Sequence, residues 1–462
     1  MSAAEQEAEA EAERQLAGLE EIAERAVRAA QRRGAQAADA MLSRATEFEV
    51  KVADGAILTL TQATSRRLGL RAFVDGSVGL ASGADLSPTG LEALAERAVA
   101  AARAAAADPH NGLLPLSASR LRAPAELFDP AVSALTVDTK IDWAHRIEAA
   151  ARSADRRVRH FRASGVGTTL LMTVLCTSDG ALRSLRRTGV SAWSTPVASA
   201  DGEQQTESWY DAQCHLADLE SPETIGRMAA ARAVRMLGAR PVPTQTVPVL
   251  FEPAMAAGLM GALMAALDGD AVRKRASFLH DRLGQQIASP TLTLIDDPHL
   301  PRGLASTPFD GEGMPTQRRA LIDAGILTTF LYDGYTARRA GVAASGHAQR
   351  SSGSLPQAGP SNLSVGPGKT PAATMARHLP RAFLLTRGLG RGLNTVSGEY
   401  SRGANGLWLE HGEVVQPVQA VTIAGDFARM LNSIDAVGDD PRRCGSLEAP
   451  TLRVAEMTVS GS

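Results

Sequence analysis

The chain is poor in cysteine and in aromatic residues, and its charge is almost balanced. Its three cysteines, Cys176, Cys214 and Cys444, are widely spaced and form no CxxC pair. This argues against a disulfide framework and favours a reducing compartment. Aromatic residues make up 4%, and 48 basic residues stand against 50 acidic ones. Because the basic runs at 156–159 and 273–275 are short, the composition disfavours a nucleic-acid-binding function, which usually needs a basic face.

Long apolar runs are also missing from the sequence. The longest, residues 254–267, is about one third short of the roughly 20 residues that a membrane-spanning helix needs. The acidic start, MSAAEQE, lacks the basic residues and the apolar core of a signal peptide. We therefore expect a soluble, cytoplasmic protein that makes no membrane contact.

The common catalytic motifs are absent as well. No two of the nine histidines lie within five residues of each other, so the sequence has no HExxH-type zinc motif. A P-loop, a GxSxG elbow and a GxGxxG after a strand are missing too. A Ser-His-Asp triad stays open, because its members need not be close along the chain. Taken alone, the residue patterns indicate a soluble multidomain protein and leave its function open.

The order of helix and strand signals predicts an α+β protein. A chain of 462 residues is expected to form two or three domains. Residues 1–13 alternate Glu and Ala without an apolar stripe, which predicts a disordered or frayed N-terminus. A helix over 14–33 and hairpins at Asp54-Gly55 and Asp75-Gly76 then predict an N-terminal α+β domain that ends near residue 115.

The remaining sequence divides at a proline-rich segment. Residues 116–240 are predicted to form a middle α/β domain, with a helix that begins at Ser221-Pro222. Prolines crowd residues 241–248, and a helix is predicted over 253–267. Short strands and dense glycines follow, so residues 241–462 are predicted to form a β-rich domain, either a barrel or a sandwich.

Several linked segments of the C-terminal half carry a family resemblance. In order, they are KRASFL (274–279), LGQQI (283–287), IDDP (295–298), PFDGEG (308–313), YDGYTAR (332–338), PSNL (360–363), SGEYSRG (397–403), VTIAG (421–425), NSI (432–434), VGD (437–439) and CGS (444–446). Their order and spacing resemble the TldD/PmbA family of peptidases, and its PmbA (TldE) branch in particular. The front half resembles the family more loosely, through LGLRAFV (68–74) and SDG (178–180).

The resemblance implies a two-subunit zinc peptidase that trims unfolded peptides. In that family the TldD-like subunit carries zinc on an HExxxH helix, with a C-terminal cysteine as a further ligand. The older label for the family is "modulator of DNA gyrase". We therefore expect a TldD-like HExxxH partner in a heterodimer, or a second copy in a homodimer, and an unfolded peptide as substrate.

This sequence departs from the catalytic branch at the metal motif. Anchored on LDGD (267–270), the three HExxxH positions fall on Met260, Gly261 and Ala265. A thioether, a hydrogen and a methyl group replace two imidazoles and a carboxylate, and none of them is a zinc ligand or a general base. We expect no cofactor and no catalytic residue in this chain, with the zinc in the partner subunit. Cys444 aligns with the family's cysteine ligand and is interpreted as a small buried residue.

Five further residues are candidates for a peptide cleft: Ser361, Asn362, Asp310, Glu312 and Arg402. Ser361 and Asn362 either line a cleft or stabilise a turn. Asp310 and Glu312 are interpreted as loop or interface residues, and Arg402 as a possible partner of either acid.

Two other functions stay open at this point. One is a self-sufficient hydrolase that uses Cys444 or a serine. The other is a non-enzymatic protein that binds gyrase or another partner.

Overall fold

The computed structural model describes residues 1–390 and 392–461. Within them the α-helices are α1 (Ala3–Arg32), α2 (Pro88–Ala104), α3 (Pro130–Ala134), α4 (Val137–Ala154), α5 (Pro222–Arg235), α6 (Pro253–Leu263), α7 (Gly269–Arg273), α8 (Gly334–Ala340) and α9 (Phe427–Asn432). Short 3₁₀ turns lie at Ala125–Leu127, Leu216–Asp218, Met264–Ala266 and Ala372–Thr374. No helix of these residues is both long and apolar enough to cross a bilayer.

The strands fall into an N-terminal set and a C-terminal set. The first comprises β1 (Ala37–Ala53), β2 (Ala56–Val74), β3 (Ser77–Gly83), β4 (Arg120–Arg122), β5 (Val158–Thr177), β6 (Leu182–Ala200), β7 (Glu203–Thr206) and β8 (Trp209–Gln213). The second comprises β9 (Gln245–Phe251), β10 (Leu294–Asp296), β11 (Arg319–Asp323), β12 (Ile326–Leu327), β13 (Ala348–Gln349), β14 (Gln357–Ala358), β15 (Leu363–Val365), β16 (Ala382–Leu389), β17 (Glu399–Glu410), β18 (Glu413–Asp426), β19 (Ile434–Val437), β20 (Arg442–Cys444), β21 (Leu447–Ala449) and β22 (Leu452–Ser460).

The first helix begins earlier than the sequence predicts. Residues 1–13 were expected to be disordered or frayed, but α1 starts at Ala3 behind a capping box formed by Ser2 and Glu5. The prediction was wrong because tertiary ion pairs replace the missing apolar stripe. Arg186 of β6 contacts Glu9 at 2.8 Å, and Arg122 of β4 contacts Glu13 at 3.1 Å.

The N-terminal strands form one continuous sheet in the order β3-β2-β1-β5-β6-β4, with β7 and β8 added along β6. β1 pairs with β2 on one side and with β5 on the other over most of its length. The sheet therefore crosses the predicted boundary between residues 115 and 116. Both predicted hairpin turns are present, since Asp54-Gly55 and Asp75-Gly76 have the positive φ angles of such turns.

One face of this sheet is covered by helices. Side chains alternate between the two faces of a strand, and most even-numbered residues of β1, such as Leu42 and Val50, are buried under helices. α1 and α2 cover the Leu42 end, and α4 covers the Val50 end with α5 beside it. Asp39 is an odd-numbered residue of β1, so its side chain lies on the other face of the sheet, towards the C-terminal half.

The C-terminal half contains a closed barrel. Strands β18, β17, β16, β9 and β22 pair in sequence, and β18 also pairs with β22, which closes the ring. A second sheet has the order β12-β11-β10-β15-β21-β20. The α+β class and the barrel are confirmed. Helix α6 contacts barrel strands β9 and β16 and also β15, β20 and β21 of the second sheet, so it lies between the two layers.

A buried cluster of charges joins the two halves. Asp39 of β1 lies opposite Arg71 of β2 and accepts hydrogen bonds from its guanidinium. Arg350, from the C-terminal half, donates to Asp39 at 2.8 Å, and Glu312 lies 3.4 Å from Arg71. Burial alone would raise the pKa of Asp39, but Arg350 and Arg71 outweigh it and hold that pKa below its ordinary value.

We expect Asp39→Asn to lower the free energy of unfolding by about 3–5 kcal/mol, because it leaves two buried arginines facing one acid. Urea unfolding followed by circular dichroism measures the change. The matched control is Asp142→Asn, which removes an exposed pair with Arg146 on α4 and should cost less than about 0.5 kcal/mol. Equal stability of the Asp39 variant and the control would contradict the role assigned to the cluster.

Candidate functional site

The three degenerate metal positions lie where α6 ends. Helix α6 stops at Leu263, and a 3₁₀ turn over Met264–Ala266 continues it. Met260 is buried in the C-terminal core, and Ala265 is exposed on the 3₁₀ turn. A side-chain carbon placed on Gly261 would lie 3.2 Å from Leu447 of β21. The three positions therefore lie in different surroundings: the apolar core, the contact with β21, and solvent.

Cys444 lies close to this helix, on β20. Its side chain is buried, and Arg442 Nη1 lies 3.9 Å from its Sγ. Burial raises the pKa of the Cys444 thiol, and it also raises the pKa of the neighbouring Tyr210 to about 12. A neutral thiol is a poor metal ligand, since the thiolate is the form that binds metals.

These residues do not fit a zinc ion. A zinc site needs at least three nitrogen, thiolate or carboxylate donors that converge on one point. Across residues 1–390 and 392–461, no three His, Cys, Asp or Glu side chains gather in a way that could hold a metal. The motif positions offer a buried thioether, a hydrogen and an exposed methyl group, and Cys444 remains a single donor.

A cleft of about 700 Å³ opens beside the start of α6, and we call it the helix cleft. It lies between the middle region, which contributes α5 and β8, and the barrel strands β16–β18. Its floor is apolar and includes Met255, Leu384 and Leu409. Arg442 stacks at 3.5 Å from the Trp209 ring centroid and reaches from the cleft wall to Cys444. The cleft is therefore linked to Cys444 through Arg442, while Met260, Gly261 and Ala265 are not among the residues that line it.

Charged residues of α5 and β9–α6 form one wall of the helix cleft. Glu252 accepts a hydrogen bond from Arg235 at 2.8 Å and forms an ion pair with Arg232 at 2.9 Å. Glu207 lies 3.6 Å from Arg232, and burial raises its pKa even though the arginines oppose the shift. This wall presents buried charge next to an apolar floor.

A second space of about 450 Å³ lies between the N-terminal sheet and the C-terminal half, and we call it the interdomain cavity. Two predicted cleft residues, Ser361 and Asp310, lie on its wall. The predicted residues Asn362 and Glu312 are buried but do not line it.

Asp310 holds a tight loop together. Its Oδ1 accepts from the amides of Glu312 and Met314, and its Oδ2 accepts from the amide of Ala348. Burial raises the pKa of this carboxyl to about 6, because the three amide donors only partly offset the loss of water.

Glu312 follows in the same loop and contacts the N-terminal sheet. Its Oε1 faces Arg71, and its Oε2 accepts from the amide of Gly334 at 2.6 Å. The contacts of Asp310 and Glu312 are those of a loop residue and an interface residue.

Ser361 and Asn362 make internal hydrogen bonds. The amide and the hydroxyl of Ser361 both donate to Asp296, at 2.7 and 2.9 Å. Asn362 donates to Ser306 and to the carbonyl of Asp297, and it accepts from the amide of Ala305. Asn362 therefore stabilises loops, while Ser361 also reaches the interdomain cavity.

Arg402 lies away from this group. Its guanidinium contacts the backbone at Gly388, and the ring of Tyr400 is its neighbour. Among the described residues it pairs with neither Asp310 nor Glu312, and it lines neither the helix cleft nor the interdomain cavity. The predicted pairing was wrong, because Arg71 of the N-terminal sheet, far away in sequence, takes Glu312 instead.

Sequence reasoning missed a buried row of Ser345, His347 and Asp296. His347 Nδ1 lies 2.9 Å from Ser345 Oγ, and its Nε2 lies 3.2 Å from Asp296. Ser345 Oγ also bonds both the amide and the carbonyl of Tyr332, so it is fully engaged and has no room to attack a substrate. In the sequence, only the close spacing of Ser345 and His347 indicates this row, because Asp296 lies about fifty residues away. We assign it a structural role.

Comparison with known proteins gives the family. Three domain models match in chain order, described as PmbA/TldA metallopeptidase domain 1 (38–102), central domain (130–237) and C-terminal domain (244–461). The Metalloprotease PmbA of Escherichia coli O157:H7 is 32% identical over 425 residues, 92% of each chain. This chain belongs to the TldD/PmbA metallopeptidase family.

Relatives of both branches of the family resemble the chain. A Metalloprotease PmbA homolog of Haemophilus influenzae is 32% identical over 86% of each chain. A Metalloprotease TldD homolog of the same organism is 24% identical over 72% of this chain and 74% of its own.

Solved structures share the whole fold of this TldD/PmbA-family chain. A Bacteroides thetaiotaomicron protein, described as a candidate modulator of DNA gyrase, superposes with a TM-score of 0.87. It is 27% identical and covers 96% of this chain and 98% of its own. TldE of Thermococcus kodakarensis superposes with a TM-score of 0.86 and covers 95% of this chain and 100% of its own. Because it is only 21% identical, this likeness supports the fold alone.

We expect this family member, purified alone without chelators, to carry well below one zinc ion per chain, because its motif positions lack donor atoms. Elemental analysis by mass spectrometry measures the content. Cys444→Ser is the matched control and should leave the value unchanged. One tightly held zinc per chain that is lost in Cys444→Ser would show that Cys444 belongs to a zinc site.

The free energy of unfolding should depend on pH through the carboxyl group of Asp310. Its pKa is raised to about 6 in the folded state, so the folded state binds this proton more tightly than the unfolded state, whose pKa is about 3.9. The stability contributed by Asp310 is full below pH 4 and falls as the pH rises to 6, by about 3 kcal/mol.

Asp310→Asn should remove this decline. The stability difference between the wild type and the variant should therefore favour the wild type more at pH 4 than at pH 7.5, as measured by urea unfolding at both values. Asp179→Asn, at an exposed turn, is the control and should show no such trend. A difference independent of pH would argue against a raised pKa.

Proposed function

We propose that this chain is the metal-lacking subunit of a two-subunit zinc peptidase that degrades or trims unfolded peptides. A TldD-like relative with an intact HExxxH helix supplies the zinc and the general base. The observation that carries the proposal is the α6 terminus, where Met260, Gly261 and Ala265 replace the motif. The packing of Leu447 against Gly261 supports it, because a side chain of the second sheet fills the space that a glutamate would need.

The chemistry of hydrolysis explains why a partner is needed. A zinc peptidase polarises the peptide carbonyl and activates a water, which requires a metal held by several donors and a nearby base. The buried row of Ser345, His347 and Asp296 offers no accessible nucleophile, and burial keeps the Cys444 thiol neutral. The useful work of this chain is therefore binding and assembly.

The helix cleft is suited to an extended peptide. Its volume of about 700 Å³ holds several residues, and its apolar floor favours exposed apolar side chains, which unfolded chains present and folded proteins bury. The arginine and glutamate wall offers both donors and acceptors to main-chain groups. We propose that the cleft takes the substrate and passes it to the metal-bearing subunit.

The free edge of β2 is the proposed contact for the partner. Residues 56–67 pair with β1 on one side, while β3 pairs only with residues 68–74. On this edge Ile57, Leu58 and Leu60 are 44–53% exposed. A long apolar strand edge promotes pairing with another chain unless a partner covers it. A strand of the second subunit added here would satisfy its main-chain groups.

Co-expression tests the proposal. We expect the chain to co-purify with an HExxxH-bearing relative, and the pair to digest a flexible peptide in a chelator-sensitive reaction that neither subunit performs alone. Leu58→Glu combined with Leu60→Glu should weaken co-purification at least tenfold. Pull-down yield and size-exclusion chromatography measure assembly, and fluorescence of a quenched peptide measures cleavage.

The matched control is Val342→Glu combined with Leu355→Glu, two apolar residues 47% exposed outside the sheet edge. This variant should assemble like the wild type. Chelator-insensitive cleavage by the chain alone would sink the proposal in favour of a self-sufficient hydrolase. A stable dimer of the chain with itself, and no association with the relative, would replace the heterodimer with a homodimer.

A further inference from the structure

Lys140 is a buried cation that has no acidic partner. It lies near the start of α4, and only 7% of the residue is exposed. Burial lowers the pKa of its ammonium below the ordinary value, and no carboxylate of the described residues lies close enough to counteract the shift. The other three lysines of the chain, Lys51, Lys274 and Lys369, are partly or fully exposed. Because a buried charge normally requires a partner, this ammonium is available to a ligand.

One aromatic ring contacts the ammonium but does not satisfy it. Nζ of Lys140 lies 4.4 Å from the centroid of the Phe48 ring on β1, which is close enough for a cation–π interaction. A ring face stabilises positive charge, but it gives the three N–H donors of a lysine no lone-pair acceptor. Lys140 forms no ion pair within residues 1–390 and 392–461, so donors remain for an oxygen atom.

The ammonium borders a pocket of about 200 Å³, which we call the lysine pocket. The pocket lies on the helix-covered face of the N-terminal sheet, between the end covered by α1 and α2 and the end covered by α4. Paired residues of β1 and β5 form its floor: Thr46 opposite Leu170, and Phe48 opposite Thr168. Helices α3 and α4 and the turn between them form the opposite side: Val132, Ser133, Leu135, Val137 and Lys140.

The lysine pocket is open to solvent, so a ligand can reach the ammonium. Gln62, Ser133 and Val137 line the pocket and are themselves exposed. Some unpaired polar atoms elsewhere, such as Arg350 Nε, are covered completely by protein, but Lys140 Nζ is not one of them. The unsatisfied donors and the accessible space therefore belong to the same site.

The lining of the pocket selects the charge and the character of a ligand. None of the described residues that line it is acidic, so Lys140 gives it a net positive charge. The hydroxyls of Thr46, Ser133 and Thr168 are further donors, and Leu135 adds apolar surface. A single cation suits a single negative charge, because a dianion would bring a second charge without a partner. The volume equals that of about seven water molecules, which limits the ligand to a small one.

We propose that the lysine pocket binds a small organic acid, with the ammonium of Lys140 on its carboxylate. A charge-assisted hydrogen bond from Nζ to a carboxylate oxygen satisfies the buried cation. The ring of Phe48 and the side chains of Leu135 and Leu170 then pack against the apolar body of the acid. The site does not depend on the subunit role proposed above.

Isothermal titration of the full chain with sodium butyrate tests the proposal. Butyrate should bind at least about tenfold more tightly than butyramide, which has nearly the same shape without the charge. It should also bind more tightly than inorganic phosphate, which carries more charge and has no apolar body. Equal binding of butyrate and butyramide, a preference for phosphate, or no binding of butyrate at millimolar concentration would overturn the proposal.

Lys140→Met is the decisive variant, because methionine keeps an unbranched side chain against Phe48 and has no charge. Its affinity for butyrate should fall at least about tenfold. The matched control is Lys369→Met, which removes an exposed lysine that does not line the pocket and should bind like the wild type. A melting curve first establishes that both variants are folded. Wild-type affinity in folded Lys140→Met would refute the site.

Protection from acetylation tests the same contact in the unmodified chain, so it does not depend on the folding of a variant. With the N-hydroxysuccinimide ester of acetic acid, the lysine nitrogen attacks the ester carbonyl, N-hydroxysuccinimide leaves, and the amine loses a proton. Saturating butyrate should slow the acetylation of Lys140 severalfold, and butyramide should not. Peptide mass spectrometry measures all four lysines, and the other three should react at unchanged rates. Acetylation of Lys140 that butyrate does not slow would count against the proposal.

Discussion

A buried carboxylate requires cationic partners wherever it lies, and Asp39 shows how far that requirement reaches in this molecule. Its partners are Arg71, directly across the strand pair, and Arg350, which is 311 residues away in sequence. Arg71 in turn holds Glu312. Because none of these charges has access to bulk water, the two halves must dock in the one arrangement that brings them together. The interdomain cavity lies beside this cluster.

In the C-terminal half, α6 is surrounded by apolar side chains instead of paired charges. Met260 and Leu263, in the last turn of this helix, are buried in the C-terminal core, and Gly261 allows β21 to approach. A helix that carried zinc ligands would have to keep polar groups unpacked and accessible at these positions. The chain has instead joined α6 to its hydrophobic core, so Met260 and Gly261 contribute to the packing between the barrel and the second sheet.

Local signals predicted much of the fold. The Asp-Gly turns, the serine cap before α5, and the change of pattern near residue 241 all depend on neighbouring residues, and the structure contains each of these elements. The closure of the barrel depended on β18 meeting β22, and the order of the N-terminal end of α1 depended on arginines more than a hundred residues away. Neither contact leaves a local pattern.

The candidate site divides in the same way. The family resemblance located Met260, Gly261, Ala265 and Cys444, and it marked the loop that contains Asp310. It could not assign Arg402 its neighbours, nor show that Arg350 pairs with Asp39 of the N-terminal sheet. These contacts arise from long-range packing, because the partner of a charged side chain is set by which residues the fold brings close to it.

The closed barrel also has a consequence for biosynthesis. Its first strand, β9, pairs directly with its last, β22, so that Val249 lies opposite Val454. The ring stays open on the ribosome until residue 460 has emerged, whereas every strand of the N-terminal sheet is available after residue 213. During synthesis both edges of β9 therefore stay unpaired until β16 is made, and one edge stays unpaired until β22 follows. An unpaired apolar strand can associate with other chains, so the nascent β9 is exposed to this hazard until the ring closes.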